Sequence, residues 1–350
     1  MSSLPEPPFR AALLTPAHLG DCVMSTALLA PLAGLSGQGV EVWCRPGHEP
    51  LFGGHPAVVA VRAVEPKGRH RGPVGLLRAR RDLGGAARAL DALWIVPDSL
   101  STALLAAASG VRRRVGFGGQ GRGALLTRNL GPPPGRERHW IDGRAGLLAD
   151  GATSASGLQP AVHPTADATA RARDRLQRED VPLDGFAVFV PGAVFGPAKR
   201  WTQFAELARV IPQELWVLVL GSAEEAALCR ALTESLRAQG RRALALAGAL
   251  DLGELSALLR EARFVVSNDT GPMHLAAAVG GRVLGLFLST STQWTAPRGP
   301  SVRWLAADVP CRPCFNRVCP LPAMHCDTAV TPWNVRGALA DWFEPRRASA

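Results

Sequence analysis

The sequence contains no tyrosine, and aromatic residues make up only 6% of it. Its basic residues are not interleaved with aromatic ones, and no zinc-finger, RNA-recognition or basic-zipper pattern is present. Proteins that bind nucleic acid usually show one of these features. We therefore expect no nucleic-acid partner, although the formal net charge is +10.

Targeting and membrane-spanning signals are also missing. The first ten residues, MSSLPEPPFR, lack a positively charged start followed by an apolar stretch, which is the pattern of a secretory signal. No run of residues approaches the roughly 20 apolar positions that a spanning helix needs. We therefore expect a cytoplasmic protein, with at most peripheral contact at the inner face of the cytoplasmic membrane.

The composition indicates a folded protein with two domains. Hydrophobic residues make up 47% and charged residues 19% of the 350 positions, which argues against general disorder. A chain of this length exceeds one ordinary core and fits two domains of roughly 150 to 200 residues. No internal repeat of solenoid period is evident.

Positive charge is concentrated in the first half of the chain. Residues 1–160 carry 18 Lys and Arg against 11 Asp and Glu, whereas the remainder carries 21 against 18. Six of the basic residues lie between Lys67 and Arg81. This stretch could meet an anionic acceptor or an anionic membrane surface, or form an ordinary solvated face.

Short apolar runs alternate with longer amphipathic segments, which is the pattern of parallel strands joined by helices. The fold class is therefore α/β, with two Rossmann-like, doubly wound parallel sheets. We place an N-terminal domain at residues 1–165, a linker at 166–185, a C-terminal domain at 186–330 and a C-terminal helix at 331–350. The predicted strands are Ala11–Leu14, Val40–Trp43, Val58–Val61, Ala92–Ile95, Arg114–Gly116, Ala187–Val190, Leu215–Leu220, Ala243–Ala245, Phe264–Ser267 and Leu284–Phe287.

The segment Ser267–His274, with the sequence SNDTGPMH, follows an apolar strand and predicts a turn into a helix that holds a diphosphate. Asn268, Asp269 and Thr270 can cap the helix, and Gly271 lets its backbone approach a ligand closely. The free N–H groups of a helix start attract phosphate oxygens. Thr270 and His274 lie four residues apart, on one face of the first turn. The alternative is an ordinary capped helix with a core histidine.

Two further segments carry candidate chemistry. Lys199 and Arg200 follow the strand Ala187–Val190 in the loop PGAVFGPAKRW, where a lysine could neutralise a diphosphate leaving group. The alternative is a pair of solvated loop cations.

Asp21 follows the strand Ala11–Leu14 at the start of an apolar helix. It could accept a hydroxyl proton as a general base or serve as a helix N-cap.

Together these segments resemble glycosyltransferase family nine, the lipopolysaccharide heptosyltransferases, and within it the heptosyltransferase II branch. The matching motifs are Leu19-Gly20-Asp21, Pro191–Trp201, Ser267–Ala277 and the cysteine-rich tail that ends in Thr331-Pro332. The resemblance covers most of the chain, while residues 65–135 match only in pattern.

The resemblance implies two facing domains of the GT-B kind with a cleft between them, and an inverting single displacement without a catalytic metal. Asp21 then corresponds to the catalytic base and Lys199 to the donor-phosphate lysine, while Glu224 or Glu225 would hold the nucleotide ribose. The remaining donor-binding positions are Gly20, Asp269, Thr270, Gly271 and His274.

The implied reaction moves heptose from ADP-heptose to a sugar hydroxyl of a lipid-linked oligosaccharide, the lipopolysaccharide inner core. The sequence departs from the family at Val194, where an acidic residue is usual, and at Leu288–Thr292, where GPTSP is usual. Because of these departures, the enzyme could instead use another nucleotide sugar as its donor and act on a different envelope glycan. A non-catalytic sugar-nucleotide-binding protein and an epimerase are the weaker alternatives.

Four of the seven cysteines form the pattern Cys311-x2-Cys314-x4-Cys319-x6-Cys326. This spacing permits a structural zinc site, and paired or redox-active thiols are a second option. A cytoplasmic chain rarely keeps disulfides. We favour reduced structural thiols and expect no cofactor.

Overall fold

A computed structural model describes residues 6–148 and 157–345. The chain divides into two compact units, Met1–His163 and Pro164–Ala350. Residues 149–156, within the small, polar stretch near the predicted domain boundary, lie outside the described residues, as do residues 346–350 of the predicted C-terminal helix.

The first unit contains a parallel sheet of six strands in the order β3-β2-β1-β4-β5-β6. Strands β1 and β4 are buried along their whole length, because helices cover both faces of the sheet. The strands are β1 (Ala11–Leu14), β2 (Val40–Cys44), β3 (Val58–Ala63), β4 (Ala92–Ile95), β5 (Arg113–Gly116) and β6 (Arg128–Asn129). The helices are α1 (Leu19–Ser25), α2 (Leu29–Ser36), α3 (Gly72–Ala89), α4 (Leu100–Ser109) and α5 (Trp140–Ala145).

The helical stretch Leu19–Ser36 is long and apolar enough to cross a membrane by length and composition, with a mean hydropathy of 1.4. The sequence analysis expected an apolar helix here but no stretch of this length and hydropathy. It consists of α1, a 3₁₀ turn at Thr26–Leu28 and α2. Cys22, Val23, Leu28, Leu29 and Leu32 are almost fully buried within the unit. A core helix of a folded domain meets the same criterion, so the stretch is weak evidence for a membrane span.

The second unit contains another six-stranded parallel sheet, in the order β12-β11-β10-β7-β8-β9. Its strands are β7 (Phe186–Val190), β8 (Trp216–Val219), β9 (Ala243–Ala245), β10 (Phe264–Asn268), β11 (Val283–Phe287) and β12 (Val302–Ala306). Its helices are α6 (Ala166–Arg178), α7 (Phe204–Val210), α8 (Ala226–Ala238), α9 (Leu252–Glu261), α10 (Gly271–Ala278), α11 (Thr292–Thr295), α12 (His325–Ala329) and α13 (Pro332–Leu339). Counted within each unit, both sheets have the strand order 3-2-1-4-5-6, which is the Rossmann order.

The second unit includes residues 166–185, which the sequence analysis assigned to a linker. Helix α6 packs against α9. Arg173 pairs with Glu261 at 2.7 Å, and Arg175 with Glu254 at 3.3 Å. Charged residues of α6 therefore form part of its contact with α9.

The C-terminal helix α13 packs against α7 in the second unit. Val335 and Leu339 are buried in the hydrophobic core of that unit. Arg336 Nε donates to the Val210 carbonyl at 2.8 Å. The end of the described chain is therefore part of the second unit.

Candidate functional site

The site in the second unit lies where the strand order reverses, between β7 and β10. In an open parallel sheet the crevice at the carboxyl ends of two such strands is the usual ligand site. The loop after β7 contains Lys199, and the turn after β10 contains Asp269. The two motifs that the sequence analysis treated separately therefore meet at one edge of one sheet.

Asn268, the last residue of β10, holds this edge together. Its Nδ2 donates to the Pro191 carbonyl at 2.9 Å, and its Oδ1 accepts from the backbone N–H of Trp201 at 3.0 Å. It is fully buried. The prediction that Asn268 caps the following helix is wrong, because both ends of its amide are bound to the two ends of the Pro191–Trp201 loop.

Helix α10 begins without a side-chain cap. Thr270 occupies the N-cap position, but its hydroxyl lies 3.3 Å from the carbonyl of Asn268 and makes no cap bond to the helix. Pro272 lies in the first turn, where a missing N–H is no loss. The prediction that Thr270 and Asp269 side chains cap the helix is wrong. The Met273 N–H donates to the Thr270 carbonyl at 3.2 Å. Among the first three residues of the helix, this leaves the N–H of Gly271 without a partner in the described part of the chain and so available to a ligand.

Asp269 is the centre of the polar cluster. Its Oδ2 accepts from Lys199 Nζ and from Thr290 Oγ1, both at 2.7 Å. Lys199 Nζ also donates to the Asp269 backbone carbonyl at 3.0 Å. Both side chains are largely buried, at 15% and 5% exposed for Lys199 and Asp269. An ammonium group has three N–H donors, so two are used here and one remains for a ligand.

His274 is buried on the first turns of α10, and its Nε2 lies 3.9 Å from Asp269 Oδ1. The structure thus brings together Lys199, Asp269 and His274, three residues that the sequence analysis named as candidates. Thr290 was missed as a contact of this cluster. It lies in the Leu288–Thr292 segment, which the sequence analysis noted only as a departure from the family.

Lys199 is one of two lysines among 39 lysines and arginines. It ends a 3₁₀ turn, Pro197–Lys199, and its Nζ lies 5.2 Å from the centre of the Phe195 ring. Arginine otherwise predominates in this chain, whereas Lys199 places a compact ammonium group beside Asp269. The sequence analysis left Lys199 and Arg200 both as candidates, and Lys199 is the one that reaches Asp269.

The cysteine-rich tail braces the loop that carries Lys199. The Arg317 carbonyl accepts from the Ala198 N–H at 3.1 Å, and Arg317 Nε donates to the Phe195 carbonyl at 2.8 Å. Gly196, with φ of +148°, passes so close that a Cβ would lie 2.4 Å from the Arg317 carbonyl oxygen. Only glycine fits this position without a shift of the loop or the tail.

A second contact holds the far end of the same loop. The Asp327 carboxylate accepts from the Thr202 N–H at 2.8 Å and from its hydroxyl at 2.6 Å. Trp201 Nε1 donates to the Val330 carbonyl at 2.7 Å. Sequence reasoning found the tail through its cysteines but not Arg317 and Asp327, which have no motif of their own.

The four tail cysteines are free thiols, and Cys311 is exposed. Burial, followed by the neighbouring thiols, raises the pKa of Cys326. Within residues 6–148 and 157–345, no group of three or more His, Cys, Asp or Glu is arranged to hold a metal ion. The contacts that the structure shows for the tail are its backbone and side-chain hydrogen bonds with the loop.

Glu224 and Glu225 differ clearly in the structure. Glu224 is exposed. Glu225 Oε2 accepts from the Ser222 N–H at 3.0 Å and so caps the 3₁₀ turn that precedes α8. Its Oε1 is buried and has no hydrogen-bond partner in the described part of the chain. A Cβ at Gly192 would lie 2.1 Å from this oxygen, so Glu225 faces the end of β7.

The candidate base in the first unit is Asp21. Helix α1 begins at Leu19, its N-cap is His18, and Asp21 lies in the first turn after Gly20. Asp21 is partly buried. The alternative role of Asp21 as an N-cap is therefore wrong. The positive end of the helix still favours the ionised carboxylate.

Asp21 follows β1, at the point where the strand order of the first sheet reverses. Strand β4 is the neighbour across this point, and Asp98 follows it. Asp98 Oδ1 accepts from Arg144 Nη1 at 3.1 Å, and its carbonyl accepts from Arg122 Nη1 at 3.0 Å. Sequence reasoning missed this arginine-rich cluster because its members are separated by up to 46 residues.

Comparison with known proteins gives consistent matches. The model of glycosyltransferase family 9 (heptosyltransferase) matches residues 77–325. Lipopolysaccharide heptosyltransferase 2 of Salmonella typhimurium is 28% identical over 310 residues, covering 83% of this chain and 86% of the relative.

Solved structures match over nearly the whole chain. The E. coli ADP-heptose LPS heptosyltransferase II has a TM-score of 0.76 at 22% identity and covers 95% of this chain and 98% of its own. A family 9 glycosyl transferase from Veillonella parvula has a TM-score of 0.84 at 18% identity and covers 98% and 99%. At these sequence identities, the structural similarity shows that the fold is shared and nothing more.

Proposed function

Because the chain belongs to glycosyltransferase family 9, we propose that it is an inverting heptosyltransferase of the GT-B kind. It transfers heptose from ADP-heptose to a sugar hydroxyl of the lipopolysaccharide inner core. The observation that carries the proposal is the buried Lys199–Asp269 pair beside the uncapped start of α10. The relatives whose names specify heptose transfer to lipopolysaccharide support the choice of substrates.

The chemistry assigns one role to each unit. Asp21 takes the proton from the acceptor hydroxyl as its oxygen attacks the anomeric carbon. The bond from that carbon to the diphosphate oxygen breaks in the same step, and ADP leaves with the bonding electrons. The remaining N–H of Lys199 and the N–H of Gly271 at the positive end of α10 stabilise the charge that develops on the diphosphate. In this proposal the reaction needs no metal ion.

Donor binding adds contacts from the turn Asp269–His274. Thr270 and Gly271 bring the backbone to the diphosphate, and His274 lies behind them on the same helix. Asp269 fixes Lys199 and is itself oriented by Thr290. Gly20, next to the proposed base, is the donor-binding position that the family resemblance implies within the first unit.

The donor preference is the experiment that tests the proposal. Among ADP-, UDP- and GDP-linked sugars, ADP-heptose should raise the melting temperature most, because a ligand that binds only the folded state stabilises it by mass action. Analysis of the product with an inner-core acceptor should show heptose transfer. Preferential stabilisation by a UDP- or GDP-linked sugar would contradict the proposed donor and favour another envelope glycan.

Glu225 rather than Glu224 should contact the ribose. Its buried, unpartnered Oε1 can accept a ribose hydroxyl next to Gly192. The substitution Glu225→Gln should weaken ADP binding about tenfold, the usual scale for a hydrogen bond to a charged group. Isothermal titration calorimetry with ADP measures the effect.

The neighbouring glutamate provides the matched control. Glu224→Gln removes the same charge from the same turn but from an exposed side chain, so ADP affinity should stay within about twofold of wild type. An equal loss of ADP affinity in both variants would mean that ADP binding depends on the net charge of the turn and not on a direct contact with Glu225.

A further inference from the structure

Helix α3 exposes two large apolar side chains that take no part in the core. Val74 is 62% and Leu77 is 69% exposed. They lie three residues apart, on one face of the helix. The opposite face contributes Ala79, Leu83 and Ala87 to the hydrophobic core of the first unit. The helix is thus anchored by one side while it presents Val74 and Leu77 to solvent.

Two arginines lie on the same exposed face of α3. Arg78 and Arg81 lie four and seven residues after Val74, and both are exposed. We call Val74, Leu77, Arg78 and Arg81 the outer face of α3. In the described ranges, no hydrogen bond or ion pair joins either guanidinium group to another residue.

The surroundings of the outer face are strongly positive. Residues 67–88 contain seven Lys and Arg and a single acid, Asp82. Asp82 is already paired with Arg69 at 2.8 Å and lies 3.5 Å from His70. In the part of the chain that the structure describes, Arg78 and Arg81 therefore have no acidic counter-ion.

The outer face begins at the edge of the sheet where Asp21 lies. Helices α1, α3 and α4 follow the parallel strands β1, β3 and β4, so all three begin at the carboxyl edge of the first sheet. Helix α4 packs against α3, and its first residue, Leu100, is 46% exposed. Apolar side chains and the proposed base thus share one edge of the unit.

From this arrangement we infer that the outer face of α3 docks the protein on an anionic lipid bilayer. Arginines attract anionic headgroups, and Val74 and Leu77 can enter the boundary of the acyl chains. The apolar side chains would gain nothing against a nucleic-acid backbone. A second copy of the chain would carry the same positive face and would be repelled.

The docking inference extends the proposed function, since a lipid-linked acceptor would then lie in the surface on which the enzyme rests. The physical basis of docking does not depend on the reaction. Binding to vesicles that contain no acceptor therefore tests the surface by itself.

The test is sedimentation of the full chain with phosphatidylcholine vesicles, with and without phosphatidylglycerol. The wild-type protein should bind the anionic vesicles and not the neutral ones. The double variant Arg78→Glu with Arg81→Glu should lower the bound fraction at least about tenfold, given the attraction expected for each basic residue near an anionic surface. Val74→Ser with Leu77→Ser should also lower it, by about tenfold.

Matched controls lie on the second unit. Arg209→Glu with Arg230→Glu makes the same change in net charge, and Leu183→Ser with Leu228→Ser removes two other exposed leucines. Both control pairs should bind anionic vesicles as the wild type does. Equal binding to neutral vesicles, or equal loss in the control pairs, overturns the inference.

Activity separates the two proposals. With a water-soluble acceptor fragment, the outer-face variants should turn over at the wild-type rate, whereas with acceptor in vesicles they should be slower. Vesicle binding that follows the expected pattern in a chain that transfers no heptose would reject the proposed function alone. Heptose transfer by a wild-type chain that does not bind vesicles would reject the docking surface alone.

Discussion

Replacing Asp21 with asparagine is expected to lower kcat by about 10²- to 10⁴-fold, the range that a general base contributes. Asparagine keeps the size of the side chain but cannot accept the hydroxyl proton. Helix α1 keeps its N-cap, because that residue is His18. The affinity for ADP should stay nearly unchanged, since the diphosphate contacts proposed above lie in the second unit. Steady-state kinetics at saturating donor and calorimetry with ADP measure the two quantities.

An exposed aspartate of the same unit serves as the control. Asp91 accepts one hydrogen bond, from the Arg10 N–H at 2.9 Å, and lies outside the candidate site. Asp91→Asn should keep the wild-type kcat. If Asp21→Asn also turned over within a few-fold of wild type, Asp21 would not be the base.

Replacing Lys199 with methionine is expected to lower kcat/KM by about 10²- to 10³-fold, the scale seen when one electrostatic stabiliser of a transition state is removed. The variant should also be less stable by about 3 kcal/mol, because the buried carboxylate of Asp269 would lose its cation. Activity assays and denaturant unfolding followed together measure both effects.

A second substitution separates the structural effect from the chemical one. Lys199→Met with Asp269→Asn removes the uncompensated charge, so much of the stability should return while the activity stays low. Arg200→Met removes the adjacent cation of the same loop and should be far milder. Recovery of activity in the double variant would show that Lys199 serves only to neutralise Asp269.

The fold was largely predictable from the sequence. Buried parallel strands form continuous apolar runs, so Ala11–Leu14, Ala92–Ile95 and Ala243–Ala245 were predicted with their observed bounds. Strands β6 and β12 were not predicted. Strand β6 has two residues, and β12 lies at a sheet edge where no residue is fully buried. Such strands carry little apolar pattern.

Helix boundaries were less certain than strand boundaries. The sequence analysis placed Asp21 at the start of an apolar helix, but α1 already begins at Leu19 and a 3₁₀ turn separates it from α2. That difference moved Asp21 from a cap position into the first turn. The role of α6 in the second unit was missed because its charged residues find partners on α9, about 80 residues further along the chain.

The candidate site was predictable where one short segment carries several chemical groups. Lys199 and the turn Asp269–His274 were found in this way, and their meeting follows from the strand order. The contacts of Thr290, Arg317 and Asp327 were not predictable, because each is a single polar residue whose partner lies far away in sequence. The sequence also could not distinguish Glu224 from Glu225, whose difference rests on which carboxylate faces Gly192.

Lys199 is already paired with a counter-ion without a bound donor, because its Nζ lies 2.7 Å from Asp269 Oδ2. Opposite charges this close largely cancel at a distance, so this site projects little field into water. Capture of the donor should therefore vary little with ionic strength. Among residues 6–148 and 157–345, Arg78 and Arg81 of α3 have no such counter-ion, so added salt should screen their proposed attraction to anionic headgroups. Under the two proposals above, the affinity for the sugar nucleotide should change little with added salt, whereas binding to anionic vesicles should weaken.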